Sequence, residues 1–205
     1  MLAEFRNPVI VITKNQLVAR DVDLLKELVI FDAAAVCVSV TTLDAELARV
    51  MEPRTSTPAN RLEAIQTLAQ AGVPVRVLVA PVIPGLTDHE IPSIIKAATA
   101  AGATHAGYVV VRLPHSVGDL FEGWLEQHFP DRKRKVLNRI REMRGGKLND
   151  PNFGTRMKGE GVFADQIRSM FKLACRKSGI EGGGLELSVD AFRRPSGPQL
   201  NLFER

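Results

Sequence analysis

The sequence contains few of the residues on which several protein classes depend. Its 205 residues include two cysteines, Cys37 and Cys175, which lie far apart and form no Cys-x-x-Cys spacing. We therefore predict neither a disulfide framework nor a metal site held by this chain. No stretch approaches the roughly 20 apolar residues of a membrane span, and residues 1–14 lack the layout of a signal peptide. A cytoplasmic protein is expected.

Motifs for nucleotide phosphates and for metals are also absent. There is no Gly-x-Gly-x-x-Gly and no Walker loop, and the glycines at 182–184 do not lie at a strand-to-helix junction. The four histidines show no close pairing of the kind that binds a metal. One of them, His115, follows a predicted strand and is a candidate acid or base. Tyr108, the only tyrosine, is the other candidate catalytic residue, with a core or hydrogen-bonding role as the alternative.

The sequence does contain a repeated alternation of strand and helix patterns. Each of four apolar, largely β-branched runs is followed by a helix pattern, and the runs lie at residues 9–13, 35–41, 75–80 and 106–112. This alternation predicts an α/β fold with a parallel sheet and right-handed crossovers. An open doubly wound sheet and a barrel both satisfy the pattern.

The pattern becomes helical after Pro114, which divides the chain into three predicted parts. We expect a partial barrel over residues 1–114, a helical extension over 115–180 and a flexible tail over 181–205. The segment 130–147 holds eight basic residues against two acidic ones. That density fits contact with nucleic-acid phosphates, and a solvated helix face is the alternative. The predicted nucleic-acid contacts are Arg132, Lys133, Arg134, Lys135, Arg139 and Arg141.

The carboxyl ends of the predicted strands carry charged and hydroxyl side chains. Lys14 and Arg112 follow two of the strands, and the strand at 35–41 places Ser39 and Thr41 on one small, polar face. Ligands of parallel α/β folds bind beyond these strand ends. We therefore expect a ligand site at this rim, suited to a small molecule with a carboxylate and a ribose.

Several short motifs at these strand ends form a recognisable combination. They are Val-Ile-Val-Ile-Thr-Lys14, Arg20-Asp21, Val38-Ser39-Val40-Thr41-Thr42, Glu52-Pro53-Arg54, Arg61-Leu62, and Val79-Ala80-Pro81 with Pro84-Gly85. Together, over residues 5–161, they resemble the radical S-adenosylmethionine (SAM) enzymes of the spore photolyase-like branch. The resemblance implies a partial TIM-type (β/α) barrel that uses SAM and a [4Fe-4S] cluster. It also implies lyase-like DNA repair, in which a 5′-deoxyadenosyl radical acts on a nucleic-acid-type substrate.

The resemblance assigns cofactor-binding roles to five residues. Lys14 and Ser39 match the lysine and serine that contact SAM in that family. The backbone at Ala80 matches the segment that lies against the adenine. Glu52 and Arg61 match positions around the bound cofactor.

The sequence departs from the family in one respect. The Cys-x-x-x-Cys-x-x-Cys loop that holds the cluster is absent. Counting strands back from this loop, we expect the chain to be the C-terminal part of a radical SAM protein, with the N-terminal part supplied by another chain or not at all. Alone, it is expected to be catalytically incompetent. The alternatives are a non-catalytic module that binds DNA or a sliding clamp, and an unrelated TIM-barrel lyase with Lys14 as a Schiff-base amine.

The end of the chain provides a separate hypothesis about a partner. Gln199, Leu200, Leu202 and Phe203 lie behind a stretch rich in proline and glycine. They are similar to the Gln-Leu-x-Leu-Phe peptides that dock on the bacterial sliding clamp. Such a peptide inserts its apolar side chains into a groove at low ordering cost. A tail that folds back on its own domain is the alternative.

Overall fold

The computed structural model of the protein describes residues 1–194, apart from the side chain of Glu181. The strands are β1 (Val9–Thr13), β2 (Ala34–Ser39), β3 (Val75–Val82), β4 (His105–Val110) and β5 (Glu181–Gly182). The α-helices are α1 (Leu2–Phe5), α2 (Val22–Val29), α3 (Ala45–Met51), α4 (Pro58–Gln70), α5 (Ile91–Ala100), α6 (Val117–His128), α7 (Pro130–Glu142) and α8 (Val162–Ser178). Short 3₁₀ segments lie at Gln16–Asp21 and Asp88–Glu90.

The strands form one parallel sheet in the order β1-β2-β3-β4-β5. Strand order follows chain order, as in a (β/α) barrel, whereas a doubly wound sheet reverses at a switch point. The predicted α/β fold with four parallel strands and the geometry of a partial TIM-type barrel is confirmed. The short strand β5 was not among the predicted strands.

One face of the sheet is covered by helices. Val36 and Val38 of β2 lie opposite Val75 and Val77 of β3, and all four are buried. Strand β4 is covered on the same face, because the ring of Tyr108 lies 4.8 Å from the ring of Phe171 in α8. The helices contribute fully buried side chains to the same core, among them Ile65, Leu68, Ile94, Ile95, Leu125 and Ile140. The predicted helical extension therefore packs into the core of the barrel part.

The other face of the sheet is more open. Ile10 and Ile12 of β1 point there and are 41% and 66% exposed. Ile12 lies opposite Cys37, which lies opposite Arg76. A Cβ atom at Gly107 would collide with the Arg76 guanidinium, so the glycine makes room for this charge. This open face is therefore lined by a mixture of apolar and charged groups.

The described part of the tail runs across the amino ends of the strands. The backbone N–H of Gly183 donates to the Ala106 carbonyl, that of Ser188 to Asp32, and that of Arg193 to Phe5, at 3.2, 2.9 and 2.9 Å. Residues 183–193 thereby connect the β4 side of the sheet to the β1 side. Within residues 1–194, no helix combines the length and the apolar character that crossing a membrane demands.

Candidate functional site

The carboxyl ends of β1, β2 and β3 bring polar groups from distant parts of the sequence together. The Lys14 ammonium donates to Thr41 Oγ1 at 2.9 Å, to the Ala80 carbonyl at 3.1 Å and to the Glu52 carboxylate. Thr41 Oγ1 also lies 2.9 Å from Glu52 Oε1 and 2.8 Å from the Ala80 carbonyl. Each N–H of the Lys14 ammonium thus has an acceptor in the protein.

Arg61 lies behind Glu52 and is 1% exposed. Its Nη2 donates to Glu52 Oε2 at 2.7 Å, and its Nη1 donates to the Ser39 carbonyl at 3.1 Å. We call Lys14, Thr41, Glu52 and Arg61, with the carbonyls of Ser39 and Ala80, the rim cluster. One carboxylate in this cluster bridges two cations, so its two oxygens fix the relative positions of Lys14 and Arg61.

The residues at the start of α4 determine the position of Arg61. Helix α4 begins at Pro58, because Thr57 Oγ1 accepts from the Asn60 N–H and a proline suits the first turn. Long side chains in a helix lean toward its N-terminus. Arg61, one turn into α4, accordingly reaches back, and its Nε donates to the Ser56 carbonyl at 2.8 Å. The start of α4 and the backward lean of the side chain together place the Arg61 guanidinium at the rim.

In the rim cluster, burial and ion pairing have opposite effects on the pKa values of Lys14 and Glu52. Burial lowers the pKa of Lys14 below its ordinary value, and the hydrogen bond and charge of Glu52 offset part of that effect. Burial alone raises the pKa of Glu52, but the hydrogen bonds and charges of Lys14 and Arg61 together hold it below its ordinary value. Glu52 is therefore ionised at neutral pH.

The lowered pKa of Glu52 predicts a dependence of stability on acid. The unfolded chain binds the Glu52 proton at a higher pH than the folded protein does. Glu52 therefore stabilises the fold above its ordinary pKa of 4.5, and this contribution is lost as the pH falls through the lower folded value. We expect Glu52→Gln to lower the urea midpoint at pH 7 and to flatten the loss of stability below pH 4.5.

The matched control for this experiment is Glu46→Gln. Glu46 is 78% exposed and pairs with Arg49 three residues away. Its replacement is expected to leave the acid profile of the wild type unchanged, because an exposed pair contributes little. An acid slope in Glu52→Gln as steep as that of the wild type would contradict the prediction.

The structure brings the five predicted cofactor residues to one end of the sheet. Lys14, Glu52 and Arg61 contribute side chains to the rim cluster, and Ser39 and Ala80 contribute backbone carbonyls. Thr41 was placed on the polar strand face at this rim but was given no cofactor-binding role, although it hydrogen-bonds to both Lys14 and Glu52. Its position two residues after Ser39, on the same strand face, is the sequence signal that could have identified it.

The two predicted catalytic candidates lie apart from the rim cluster. Tyr108 points to the helix-covered face and packs on Phe171, and burial raises the pKa of its phenol. His115 follows β4 in a left-handed conformation with φ of 50° and is exposed. Their catalytic roles stay predictions.

The predicted nucleic-acid contacts divide into two groups on α7. Lys133 pairs with Glu122 and Glu126 of α6 at 3.1 and 2.9 Å, and Arg139 pairs with Asp88 at 3.3 Å. The others are exposed or half-buried and have no ion-pair partner within residues 1–194: Arg132, Arg134, Lys135 and Arg141. The predicted clamp-binding residues, 199–203, lie outside the described residues, and their role stays a prediction.

Comparison with known proteins adds a family to this geometry. Residues 2–98 match the family described as the Radical SAM superfamily. The matching segment holds α1 to α4, β1 to β3 and most of α5, and therefore every residue of the rim cluster.

Curated relatives are similar over a longer stretch. An uncharacterized protein of Mycobacterium tuberculosis is 34% identical over 155 residues, which are 74% of this chain and 44% of the relative. An uncharacterized protein of Mycobacterium bovis gives the same values. An uncharacterized protein of Methanocaldococcus jannaschii is 27% identical over 129 residues, which are 63% of this chain and 47% of the relative. The chain thus spans less than half the length of these relatives.

The radical SAM family implies two cofactors, and the residues present fit one of them. The rim cluster presents the Lys14 ammonium and the Glu52 carboxylate, whose side chains are 30% and 11% exposed. An ammonium matches the carboxylate and ribose hydroxyls of SAM, and a carboxylate matches its amino group. A [4Fe-4S] cluster is held by cysteine thiolates. This sequence has two cysteines, and both are buried, Cys37 in β2 and Cys175 in α8. The residues of this chain therefore do not fit the iron-sulfur cluster.

Proposed function

We propose that the rim cluster binds SAM and that the chain forms the SAM-binding part of a radical SAM-type enzyme. The observation that carries the proposal is the convergence of Lys14, Glu52 and the Ala80 carbonyl at adjacent strand ends inside the matching segment. The side chain of Lys14 is 30% exposed, so its ammonium is accessible to a ligand at the rim. In this family, a [4Fe-4S] cluster would supply the electron that cleaves bound SAM, and this chain lacks the set of cysteines that holds such a cluster.

The residues of the cluster have separate parts in this proposal. Lys14 donates to a carboxylate or hydroxyl of the ligand by exchanging one of its three protein acceptors. Arg61 touches only protein groups and acts as a positioning residue, since it holds the Glu52 carboxylate against Lys14. Thr41 Oγ1 accepts a third hydrogen bond from the Lys14 ammonium.

A binding titration tests the role of Lys14. Loss of a charged hydrogen bond costs about 1.5–3 kcal/mol, so Lys14→Met is expected to weaken SAM binding at least about tenfold. The measurement is isothermal titration calorimetry of the purified chain with SAM and, separately, with S-adenosylhomocysteine. The matched control is Lys26→Met, which removes an exposed lysine of α2. Equal affinities of the wild type and Lys14→Met, or no saturable binding by the wild type, would refute the assignment.

The second candidate function is contact with nucleic acid through α7. It is favoured by the exposed cations Arg132, Arg134 and Lys135, which have no ion-pair partner in the described part of the chain. A spore photolyase-like enzyme that acts on damaged DNA would use both sites. A non-catalytic nucleic-acid-binding module would use α7 alone. Either function would belong to the whole protein, of which this chain would form one part.

The salt dependence of binding tests this contact. Three phosphate contacts give a slope of about −2.7 in log K against log salt, so affinity for a labelled DNA duplex is expected to fall about 40-fold between 50 and 200 mM salt. Fluorescence anisotropy measures this fall. Affinity that stays constant over the same range would exclude a phosphate contact.

A further inference from the structure

A groove outside the rim cluster is formed by α3, the turn at residues 85–89, α7 and α8. It consists of two neighbouring recesses that share His89 and Arg132 in their walls. The basic recess has a volume of ≈ 580 Å³ and is lined by Asp88, His89, Arg132, Lys135, Arg139 and Gln166. The apolar recess has a volume of ≈ 840 Å³, and its apolar lining is Leu43, Leu47, Val50, Leu86 and Phe129.

The basic recess contains positive charge that the described protein does not neutralise. Its single acid, Asp88, pairs with Arg139 at 3.3 Å. Arg132 and Lys135 have no ion-pair partner within residues 1–194. Arg132 lies in the first turn of α7, where the helix dipole disfavours a cation. An anion bound in this recess would reduce the repulsion among the cations. It would also offset the unfavourable interaction of Arg132 with the helix dipole.

The apolar recess adds a second requirement for the ligand. A phosphate ion alone would leave the half-buried Leu43, Val50 and Phe129 in contact with water, whereas a flat, largely apolar group would cover them. Three acidic residues also line this recess: Asp44, Glu46 and Glu90. Asp44 caps α3 and Glu46 pairs with Arg49, whereas the Glu90 carboxylate accepts from Thr42 Oγ1 at 2.6 Å and from the Leu43 N–H at 2.7 Å. A fixed carboxylate accepts hydrogen bonds, so it selects a ring that carries N–H donors.

We infer that the groove binds a nucleoside phosphate, with the phosphate in the basic recess and the base in the apolar recess. This inference rests on the nucleic-acid contact proposed for α7 and names the chemical unit that is bound. A free nucleotide and a nucleotide within a strand offer the same chemistry. The two recesses, with volumes of ≈ 840 and ≈ 580 Å³, are large enough to admit a ligand of this size.

Two double variants of equal charge loss test the inference. Arg132→Gln with Lys135→Gln removes the two unpaired cations of the basic recess. Lys147→Gln with Lys172→Gln is the control, because both residues are exposed, neither lines the two recesses and neither belongs to the proposed nucleic-acid contact. The probes are adenosine monophosphate and guanosine monophosphate, inorganic phosphate, and a labelled single-stranded oligonucleotide. Calorimetry and anisotropy measure their affinities, and circular dichroism confirms folding.

The expected result distinguishes binding in the groove from general electrostatic attraction to positive charge on the surface. The groove variant should bind mononucleotides at least about tenfold more weakly than the wild type, and its salt slope for the oligonucleotide should fall by about two. The control variant should keep its affinity for mononucleotides. Mononucleotides should also bind more tightly than inorganic phosphate, because only they fill the apolar recess.

Three results would overturn the inference. Equal loss of oligonucleotide binding in the two variants, without mononucleotide binding by the wild type, would leave general electrostatic attraction and no groove site. Equal affinity for phosphate and nucleotides would remove the role of the apolar recess. Absence of binding to every probe would end both this inference and the proposed nucleic-acid contact, whereas SAM binding at the rim is measured independently.

Discussion

Replacing Arg61 by methionine is expected to lower the free energy of unfolding by about 3–5 kcal/mol, as is typical when one partner of a buried ion pair is removed. Arg61 is 1% exposed, and its partner Glu52 is 11% exposed. The substitution leaves Glu52 with Lys14 as its remaining ion-pair partner and leaves the Ser39 carbonyl without the Arg61 donor. Methionine keeps much of the side-chain volume, so the loss reports the charge and the hydrogen bonds. Urea unfolding at pH 7 measures it.

Two further variants make this result specific. Arg49→Met removes an arginine that is 69% exposed and is expected to change stability by less than about 0.5 kcal/mol. The double variant Glu52→Gln with Arg61→Met removes the buried acid as well, so its loss should be smaller than the sum of the two single losses. A loss below about 1 kcal/mol for Arg61→Met would show that the rim cluster contributes little to the fold.

Replacing Ile65 by alanine is expected to cost about 2–5 kcal/mol, because the site lies in a closed core that cannot collapse around the cavity. Ile65 is 0% exposed and lies on α4, the helix that carries Arg61. The comparison variant is Ile12→Ala on the open face of the sheet, where the side chain is 66% exposed. Its expected cost is within about 0.5 kcal/mol.

The same urea experiment measures both isoleucine variants. A large loss for Ile65→Ala with a small one for Ile12→Ala would confirm that the helices cover one face of the sheet and leave the other open. A cost for Ile12→Ala as large as that for Ile65→Ala would contradict this arrangement. It would indicate that the open face is covered in solution, and the oligomeric state measured by light scattering would then identify a second copy as the cover.

The rim cluster and the groove are built from the same two strand ends. After β2, Thr41 bonds to Lys14 in the rim cluster, and the next residue, Thr42, bonds to Glu90 in the groove. Near the end of β3, Ala80 belongs to the rim cluster, and Leu86, in the turn that follows the strand, lines the groove. Consecutive residues that point to different sites give a direct physical connection between the proposed SAM site and the proposed nucleoside phosphate site.

Much of the site could be predicted because its positions follow from strand direction. Parallel strands share one carboxyl end, so placing Lys14, Ser39 and Ala80 at the ends of three such strands was enough to bring them to one rim. The start of α4 also depends on near neighbours, because Thr57 caps the helix and Pro58 occupies its first turn. By contrast, the orientation of Tyr108 toward α8 depends on the register of β4, which the sequence pattern did not fix.

The sequence by itself determined the order of strands and helices, the starts of the capped helices and the end of the sheet at which polar residues collect. These features depend on side-chain periodicity and on hydrogen bonds between near neighbours. Only the tertiary structure decided which polar groups meet. Lys14 bonds to groups 38 and 66 residues away, and the groove joins α3, α7 and α8. Such contacts depend on how helices pack against the sheet, and no local pattern encodes that packing.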